Sequence, residues 1–321
     1  CGLFLWCRML RPLIRPIVRP LVRGVTEPGY GSLAAQIRLL FASGEQGAWY
    51  DPSDLSTLYQ NAAGTTPVTA LGQSVGLMLD KSKGTRGPEL VTNGEFNDDI
   101  TGWGDYGAWK EGSAEWVNGA ISVTTASYRG AVHVLSTTIG SRYELRFTVV
   151  SADANALAGR LYVSGSDPTN PGSSPLLNIS PLSPGNHVVH FVATNTSHTI
   201  GLSSQNSSGV VVWDNISARE LPGNHASQST ATARPTLQAG NKIDFDGVDD
   251  KLTTTFPDLG TAVTIVRSVP GTGASILTGQ TIGAGAWDDS TDHHGLLIIN
   301  RALTAPETAL VTRWANMRAG V

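Results

Sequence analysis

The sequence predicts an all-β protein. Two β-sandwich (jelly-roll) domains, one inserted in the other, follow an extended N-terminal arm and precede a short C-terminal helix. Three observations carry this reading. The 321 residues suffice for about two cores. Gly (36) and Pro (17) are plentiful while charged residues make up only 15%, a balance that favours short strands joined by turns over long helices. Apolar and polar residues alternate through "AISVTTAS", "YELRFTVVSA", "GRLYVSGS", "HVVHFVAT" and "HTIGLSSQ", runs separated by Gly, Pro, Asn and Ser, the pattern of an antiparallel sandwich.

The arm spans residues 1–39. Within it, "RPLIRPIVRPLVR" (11–23) repeats Arg-Pro-apolar-apolar three times. Proline at every fourth position removes a helical donor each turn, so a helix is excluded. Drawn out as an extended chain, Pro12, Ile14, Pro16, Val18, Pro20 and Val22 share one apolar face, and the missing N–H groups fall on one edge. Arg11, Arg15, Arg19 and Arg23 alternate with Leu and Ile on the other face. A disordered basic tail is the plain reading of such a segment. The apolar content favours an assembly arm, through which residues 1–24 would join other copies or other proteins by adding to an exposed sheet edge.

Charge and cysteine content narrow the classes. The net charge is −4, yet residues 1–24 hold five Arg and no acid, leaving −9 on the body. That disfavours nucleic-acid binding. Cys1 and Cys7 lie outside both domains, so neither a disulfide framework nor a zinc cage supports the fold. No stretch is long and apolar enough to span a bilayer, and no export signal is read at the start.

The first domain is discontinuous, 40–84 and 223–321. Strands over 77–80 and 243–252 are expected to pair, and "KIDFDGVDDKLTT" reads as a hairpin turning at Asp246-Gly247. Asp246, Asp249 and Asp250 read as turn-formers ahead of a metal site. Asp288, Asp289, Asp292, His293 and His294 read as a surface loop ahead of a cation site. Leu296–Ile299 form an apolar strand. Thr304 and Glu307 then make a capping box with Pro306 in the first turn, Leu310, Val311 and Trp314 form one apolar stripe, and Gly320 ends the helix.

The pieces "GAWYDPSDLSTLYQ…VGLMLDKSKG" and "GNHASQSTATARPTL…IDFDGVDDKLTTT" resemble the laminin-G-like, concanavalin-type sandwich modules of bacteriophage and prophage virion proteins. There the turn runs unbroken from Asp-Lys-Ser into Asn-His-Ala. Here it is interrupted by residues 85–222, whose "GPELVTNGEFNDDITGW" and "VVVWDNISARELPG" resemble the first and last strands of jelly-roll carbohydrate-binding modules. About eight strands are expected in this insert. The resemblance implies a structural calcium held by Glu95, Asn97 and Asp214, with one charge fewer than usual because Asn97 stands where Glu is common. It also implies sugar stacking on exposed aromatics, for which Trp109, Tyr128 and Trp116 are the candidates, while Trp103 reads as core.

No nucleophile elbow, phosphate-cradling glycine loop, zinc spacing or paired catalytic Glu is present, so the chain reads as non-enzymatic. The resemblances imply a phage virion structural protein, in the tail, tail fibre, baseplate or a capsid appendage. It would anchor by its arm, assemble as a homo-oligomer with other virion proteins, and display its sandwiches to host cell-surface polysaccharide. It would be made in the bacterial cytoplasm and reside in the virion. A secreted or surface bacterial glycan-binding adhesin is the alternative, and a glycan depolymerase ranks lower because the acids cluster in turns.

Overall fold

A computed structural model describes residues 32–84, 86–104, 113–126, 130–165 and 175–321. These form twenty strands and two α-helices, α1 (Leu33–Leu39) and α2 (Ala305–Ala319), an all-β architecture with a short C-terminal helix. The 11–23 repeat lies outside the described residues. Residues 33–39 correct the expected arm: they form a helix, capped by Ser32, whose side chain accepts from the Ala35 amide. A proline-free run holding Leu33, Ile37 and Leu40 at helical spacing has an apolar stripe to bury. Ile37, Leu40 and Phe41 are buried beside α2.

One set of strands comes from both ends of the chain. It comprises β1 (Gly47–Tyr50), β2 (Leu58–Tyr59), β3 (Leu77–Met78), and then β13 (Ala226–Ser227), β14 (Thr236–Gln238), β15 (Lys242–Asp244) and β16 (Leu252–Phe256). β17 (Gly260–Val269), β18 (Gly273–Ile282), β19 (Gly285–Asp289) and β20 (Leu296–Ile299) complete it. The sheets run β1-β20-β17-β18 and β19-β16-β13-β3-β2. Tyr50, Leu58, Met78, Leu252, Phe256, Ile265 and Ile298 fill the core of this set. Within the first sheet β1 and β20 are buried on both faces, which is why β20 reads Leu-Leu-Ile-Ile without alternation. Leu296 and Ile298 enter the core of the set, while Leu297 and Ile299 pack beneath the helices with Trp49, Val311 and Trp314.

α2 is bounded as its sequence demands. Thr304 and Glu307 exchange capping bonds, Pro306 lies in the first turn, and Gly320 ends the helix in the left-handed conformation. Arg318 Nη2 donates to the buried Asp51 at 2.8 Å, and the Trp49 and Trp314 rings meet edge to face at 6.4 Å.

Three expectations are overturned in this set. The Asp246-Gly247 turn joins β15 to β16, but these do not pair: β15 pairs with β14, and β16 with β13 and β19. The Asp246 carboxylate instead accepts the amides of Val248, Asp249 and Asp250, coiling the turn upon itself. Nor do residues 77–78 pair with 243–252, because β13 lies between β3 and β16. Finally, the acid and histidine run before β20 is a surface segment only in part: Asp288 is exposed, but others of the run turn inward. Asp289 and His293 are buried and 2.9 Å apart, and Arg267 reaches Asp289 at 2.6 Å. Burial acts to raise the Asp289 pKa, but His293 and Arg267 outweigh it and hold the carboxyl below its ordinary value.

The second set lies between. It comprises β4 (Ser113–Trp116), β5 (Ile121–Ala126), β6 (Ala131–Ser136), β7 (Arg142–Ala152), β8 (Gly159–Ser164), β9 (Pro175–Leu182), β10 (Gly185–Val192), β11 (Ser197–Ser204) and β12 (Ser208–Leu221). These nine strands, one more than expected, make a five-stranded sheet, β10-β7-β12-β5-β4, and a four-stranded one, β6-β11-β8-β9. Phe147, Leu161, Phe191, Ile200, Leu202 and Trp213 lie between them, and Trp103 joins this core.

The chain leaves the first set at 80–84 and returns at 221–225, and one carboxylate ties the two crossings. Asp80 is buried and accepts the amides of Trp49, Ser82 and Asn224 and the Ser82 hydroxyl, all at 2.8 Å. The Asp80 amide donates to His225 Nδ1 at 3.0 Å, and His225 Nε2 donates to the Leu221 carbonyl. Asn224 reaches on to the Gly47 carbonyl and accepts from the Tyr50 hydroxyl. All four partners of the Asp80 carboxylate are donors, so Asp80→Asn would turn an amide N–H toward one of them. We expect the variant to lose about 2 kcal/mol of stability, the scale of a buried polar group left unpaired, as read from urea unfolding at pH 7.

Candidate functional site

The inserted strands alternate, and β7 shows both faces. Tyr143, Leu145, Phe147 and Val149 enter the core. Arg142, Glu144, Arg146 and Thr148 therefore point out of the other face. Pairing extends each of these into a row across the sheet: Val192, Arg142 and Leu221; His190, Glu144 and Arg219; Val188, Arg146 and Ser217; Asn186, Thr148 and Asp214.

Arg142, Glu144, His190 and Leu221 of the first two rows lie against the other strand set, while Val192 and Arg219 at the ends of these rows stay open. Arg142 donates to the Ala62 carbonyl at 3.2 Å, and His190 Nδ1 to the Gly64 carbonyl at 2.8 Å. Tyr59 stands edge-on to the His190 ring at 4.7 Å. Gly64 has φ +68°, and a Cβ there would stand 2.2 Å from His190 Nδ1, so only glycine permits this approach. Leu221 closes an apolar seam with Tyr59, Leu77 and Leu79. At the centre of the second row, the buried Glu144 takes paired bonds from Arg86 (2.7 and 3.3 Å) and Arg146 (2.6 and 2.9 Å). His190 Nε2 lies 3.6 Å from it. Burial acts to raise the Glu144 pKa, but His190, Arg146 and Arg86 outweigh it and hold the carboxyl far below the usual range.

The other two rows are open. With Arg219 of the second row they floor a cleft of about 700 Å³ lined by Arg146, Thr148, Asn186, Val188 and Ser217, with Asn93, Gly94, Glu95, Asn97 and Asn215 at the β12 side. That side is held in an unusual conformation. Asn93, Phe96 and Asn215 have φ of +53°, +46° and +52°, costly for a bulky residue such as Phe96. Burial of the Phe96 ring holds it there. Gly94 lies against β12, where a Cβ would come within 1.8 Å of the Ile216 carbonyl oxygen. Glu89 accepts from Ser217 Oγ, Arg219 Nε and the amides of Val91 and Ala218. Burial opposes these contacts, but they prevail and lower its pKa. It stays ionised at neutral pH, whereas a general acid needs the opposite shift.

Trp109 and Tyr128 lie outside the described residues. Trp116 sits on the edge strand β4, half exposed, with its indole N–H donated to the Phe96 carbonyl at 2.6 Å, and it does not line the cleft. Glu95 and Asn97 do line it and lie 3.3 Å apart, while Asp214 gives its oxygens to the amide and side chain of Asn215. Among the described residues, one group of three His, Cys, Asp or Glu side chains has ligand atoms within 4.8 Å of one another: Asp246, Asp249 and Asp250. No helix among those residues is long and apolar enough to cross a membrane. Arg146, Thr148 and Asn186 were missed in the sequence. The signal for Arg146 and Thr148 is the polar half of the alternation in "RYELRFTVV"; Asn186 stands at the start of the alternating run "GNHVVHFV".

No protein-family model and no curated protein sequence matches the chain. Solved structures with similarity include a carbohydrate-binding module described as CBM4, at 13% identity and TM-score 0.31, covering 40% of this chain and 99% of that one. The CBM22-1 xylan-binding domain from Paenibacillus barcinonensis Xyn10C aligns at 13% identity and TM-score 0.31, covering 43% and 98%. The tandem CBM22-1–CBM22-2 domain of the same protein gives 12% and 0.33, covering 67% and 89%. At such scores the architecture is read from the chain's own sheets.

Glu144→Gln leaves two guanidinium groups facing a neutral amide. We expect a loss of about 2 kcal/mol at pH 7, below the full effect of breaking a buried pair because both arginines are partly solvated. A carboxyl with a depressed folded pKa contributes fully above its unfolded value of about 4.5 and loses that contribution as pH falls. The gap between wild type and variant should therefore be constant above about pH 5.5 and shrink below about 4.5, as followed by denaturant unfolding across pH.

Proposed function

We propose that the chain is a non-catalytic glycan-binding protein that meets sugar in the cleft on the outer face of the β10-β7-β12 sheet. The observation that carries this reading is the lining. Asn93, Asn97, Asn186, Asn215, Thr148 and Ser217 place amides and hydroxyls around a concave floor, and Arg146 and Glu95 add charged partners. Such groups match the alternating donors and acceptors of sugar hydroxyls, and a cleft of this volume is in the range that holds a small ligand. Thr148 Oγ1 donates to Asn186 Oδ1 at 2.8 Å, which orients the Asn186 amide before a ligand arrives. Recognition in this cleft rests on hydrogen bonds rather than ring stacking, since its described lining holds no exposed Trp or Tyr. In this reading Glu95, Asn97 and Asp214 are oxygen donors of a type suited to a structural calcium.

The protein is further proposed to be a structural component of a phage virion that presents this cleft to host-surface polysaccharide. The support is the resemblance of 40–84 and 223–321 to modules of virion proteins and the apolar, proline-spaced repeat of residues 11–23. Removal of residues 1–24 is expected to abolish incorporation into particles or homo-oligomers while leaving the melting of the body unchanged. Sedimentation and calorimetry check this, and a truncated chain that still assembles excludes the arm's role.

Glycan-array binding of the full chain, followed by titration of the strongest hit with and without calcium, tests the cleft. Asn186→Ala and Asn97→Ala should each weaken that binding about fivefold, the equivalent of roughly 1 kcal/mol for a lost hydrogen bond, with unfolding unchanged. Unaltered affinity in both would exclude the cleft as the binding site.

A further inference from the structure

We propose that the free edge of β18, with the groove beside it on α2, receives residues 11–23 of a neighbouring copy as a strand parallel to β18. This rests on the assembly role of the arm proposed above and names the surface that would receive it. Both described helices pack on one sheet, β1-β20-β17-β18, so two sheet edges lie beside a helix. The β1 edge is closed: the Trp49 amide donates to Asp80, the Trp49 carbonyl accepts the Lys81 amide, and the Gly47 carbonyl accepts from Asn224. The β18 edge is bare. Its sequence, Gly-Ala-Ser-Ile-Leu-Thr-Gly-Gln-Thr-Ile, holds neither a charge nor a proline, the devices that usually deter an added strand.

The pairing of β17 fixes which groups of β18 face out. Ser268 donates its amide to the Gly295 carbonyl and accepts the His294 amide, so both its backbone groups turn away from β18. Its partner Ala274 and, two residues on, Ile276 opposite Val266 therefore direct their amides and carbonyls to the open side. The side chains of Ala274 and Ile276 turn toward the helices. Asn316 of α2 accepts from the Ala274 amide at 2.8 Å, so the C-terminal end of the helix overhangs this edge. The Ala274 carbonyl and both groups of Ile276 are left for a strand, until a bulge opposite Thr264 interrupts the row. So few bonds need an apolar contact beside them. Asn316 also lines a groove along α2 with Leu303, Ala305, Ala309, Met317 and Val321, the last two 51% and 61% exposed. Arg313 is the charged residue of its described lining.

The arm has an edge for the strand and a face for the groove. Its prolines leave the N–H groups of Leu13, Arg15, Ile17, Arg19 and Leu21 on one edge and share the opposite, even-numbered positions with Ile14, Val18 and Val22. Strand direction decides which face meets α2. In an antiparallel pair, residues that exchange bonds carry their side chains on the same face, and Arg15 and Arg19 would enter the groove beside Arg313. In a parallel pair, a residue bonds to the two neighbours of the one opposite it, and its side chain takes the other face. The parallel direction therefore lays the prolines, Ile14, Val18 and Val22 in the groove and turns the arginines away from Arg313.

Sedimentation of the full chain, with and without a synthetic peptide of residues 11–23, tests the surface. We expect excess peptide to dissociate the oligomer, and Ala309→Arg and Met317→Arg, both at exposed positions, to weaken association at least tenfold with unfolding unchanged. Direction is read by cross-linking in chains whose Cys1 and Cys7 are replaced by Ser. Under mild oxidation, Val18→Cys mixed with Ala309→Cys should give a disulfide between chains, and Ile17→Cys mixed with Ala309→Cys should not. The reverse pattern, or no link in either mixture, would overturn parallel docking. Undiminished association of both α2 variants, still dissolved by the peptide, would overturn this surface while leaving the arm's role standing. A full chain that stays monomeric, or one that still associates without residues 1–24, would overturn the arm's role and this inference together.

Discussion

The carboxylate of Asp80 is the constraint on which the rest depends. It gathers donors from three stretches of chain that are remote in sequence: Trp49 on β1, Ser82 where the chain departs, and Asn224 where it returns. Each bond has a structural consequence. The first fixes β1, and through β1 the apolar strand β20 and both helices packed over it. The second and third hold the two ends of the intervening 140 or so residues beside one another, so the long excursion adds little strain to the sheet it interrupts. Desolvation pushes the Asp80 pKa up to about 6 against the pull of these four donors. The balance between a buried charge and the hydrogen bonds that justify it sits at the point where both strand sets meet.

From that stitch the geometry propagates along β7. One strand serves three environments because its period is two: inward rings fill the core, and the outward series Arg142, Glu144, Arg146, Thr148 runs from a buried interface into an open cleft. Arg146 belongs to both regions. It lines the cleft and also clamps Glu144, which Arg86 holds from the opposite side. The cleft is therefore not a surface hollow independent of the neighbouring strand set. The contacts that dock the two sets, Arg142 and His190 on the Ala62 and Gly64 carbonyls and the Tyr59 ring on His190, lie on the same sheet face one row away, and a change of docking would change the cleft.

The first strand set solves a similar problem without a cleft. Asp289, His293 and Arg267 form a charged group in its interior, and the Tyr50 hydroxyl lies between Thr254 and the Asn224 carbonyl. Such groups add little net stability. They do specify which strands lie side by side, since a shifted register would strand a charge. This accounts for Asp289 and His293, buried within a run that resembles a solvent loop in sequence; the carboxylates of the run match cations 22 to 50 residues away, Arg267 for Asp289, Lys251 for the exposed Asp288 and Lys242 for the half-buried Asp292.

The sequence by itself determined the class and many of the elements. Alternation and turn residues specify strands locally, the unbroken apolar run of 296–299 marks a strand buried on both faces, and the Thr304–Glu307 box with Gly320 defines α2, because capping is a contact between residues three or four apart. It did not determine partners. That β15 joins β14 rather than β16, that β13 separates β3 from β16, and that Asp289 is buried are long-range outcomes which no local propensity encodes. The candidate site is the sharpest case. The residues sought were aromatic, because large rings stand out in a sequence. The residues that line the cleft are ordinary Asn, Thr, Ser and Arg on the polar side of an alternating strand, alike in composition to any solvated face. Only tertiary structure divides the outward residues of β7 into a covered pair, Arg142 and Glu144, and an open pair, Arg146 and Thr148, because the division is made by a loop some 80 residues away whose Ala62 and Gly64 carbonyls rest on Arg142 and His190.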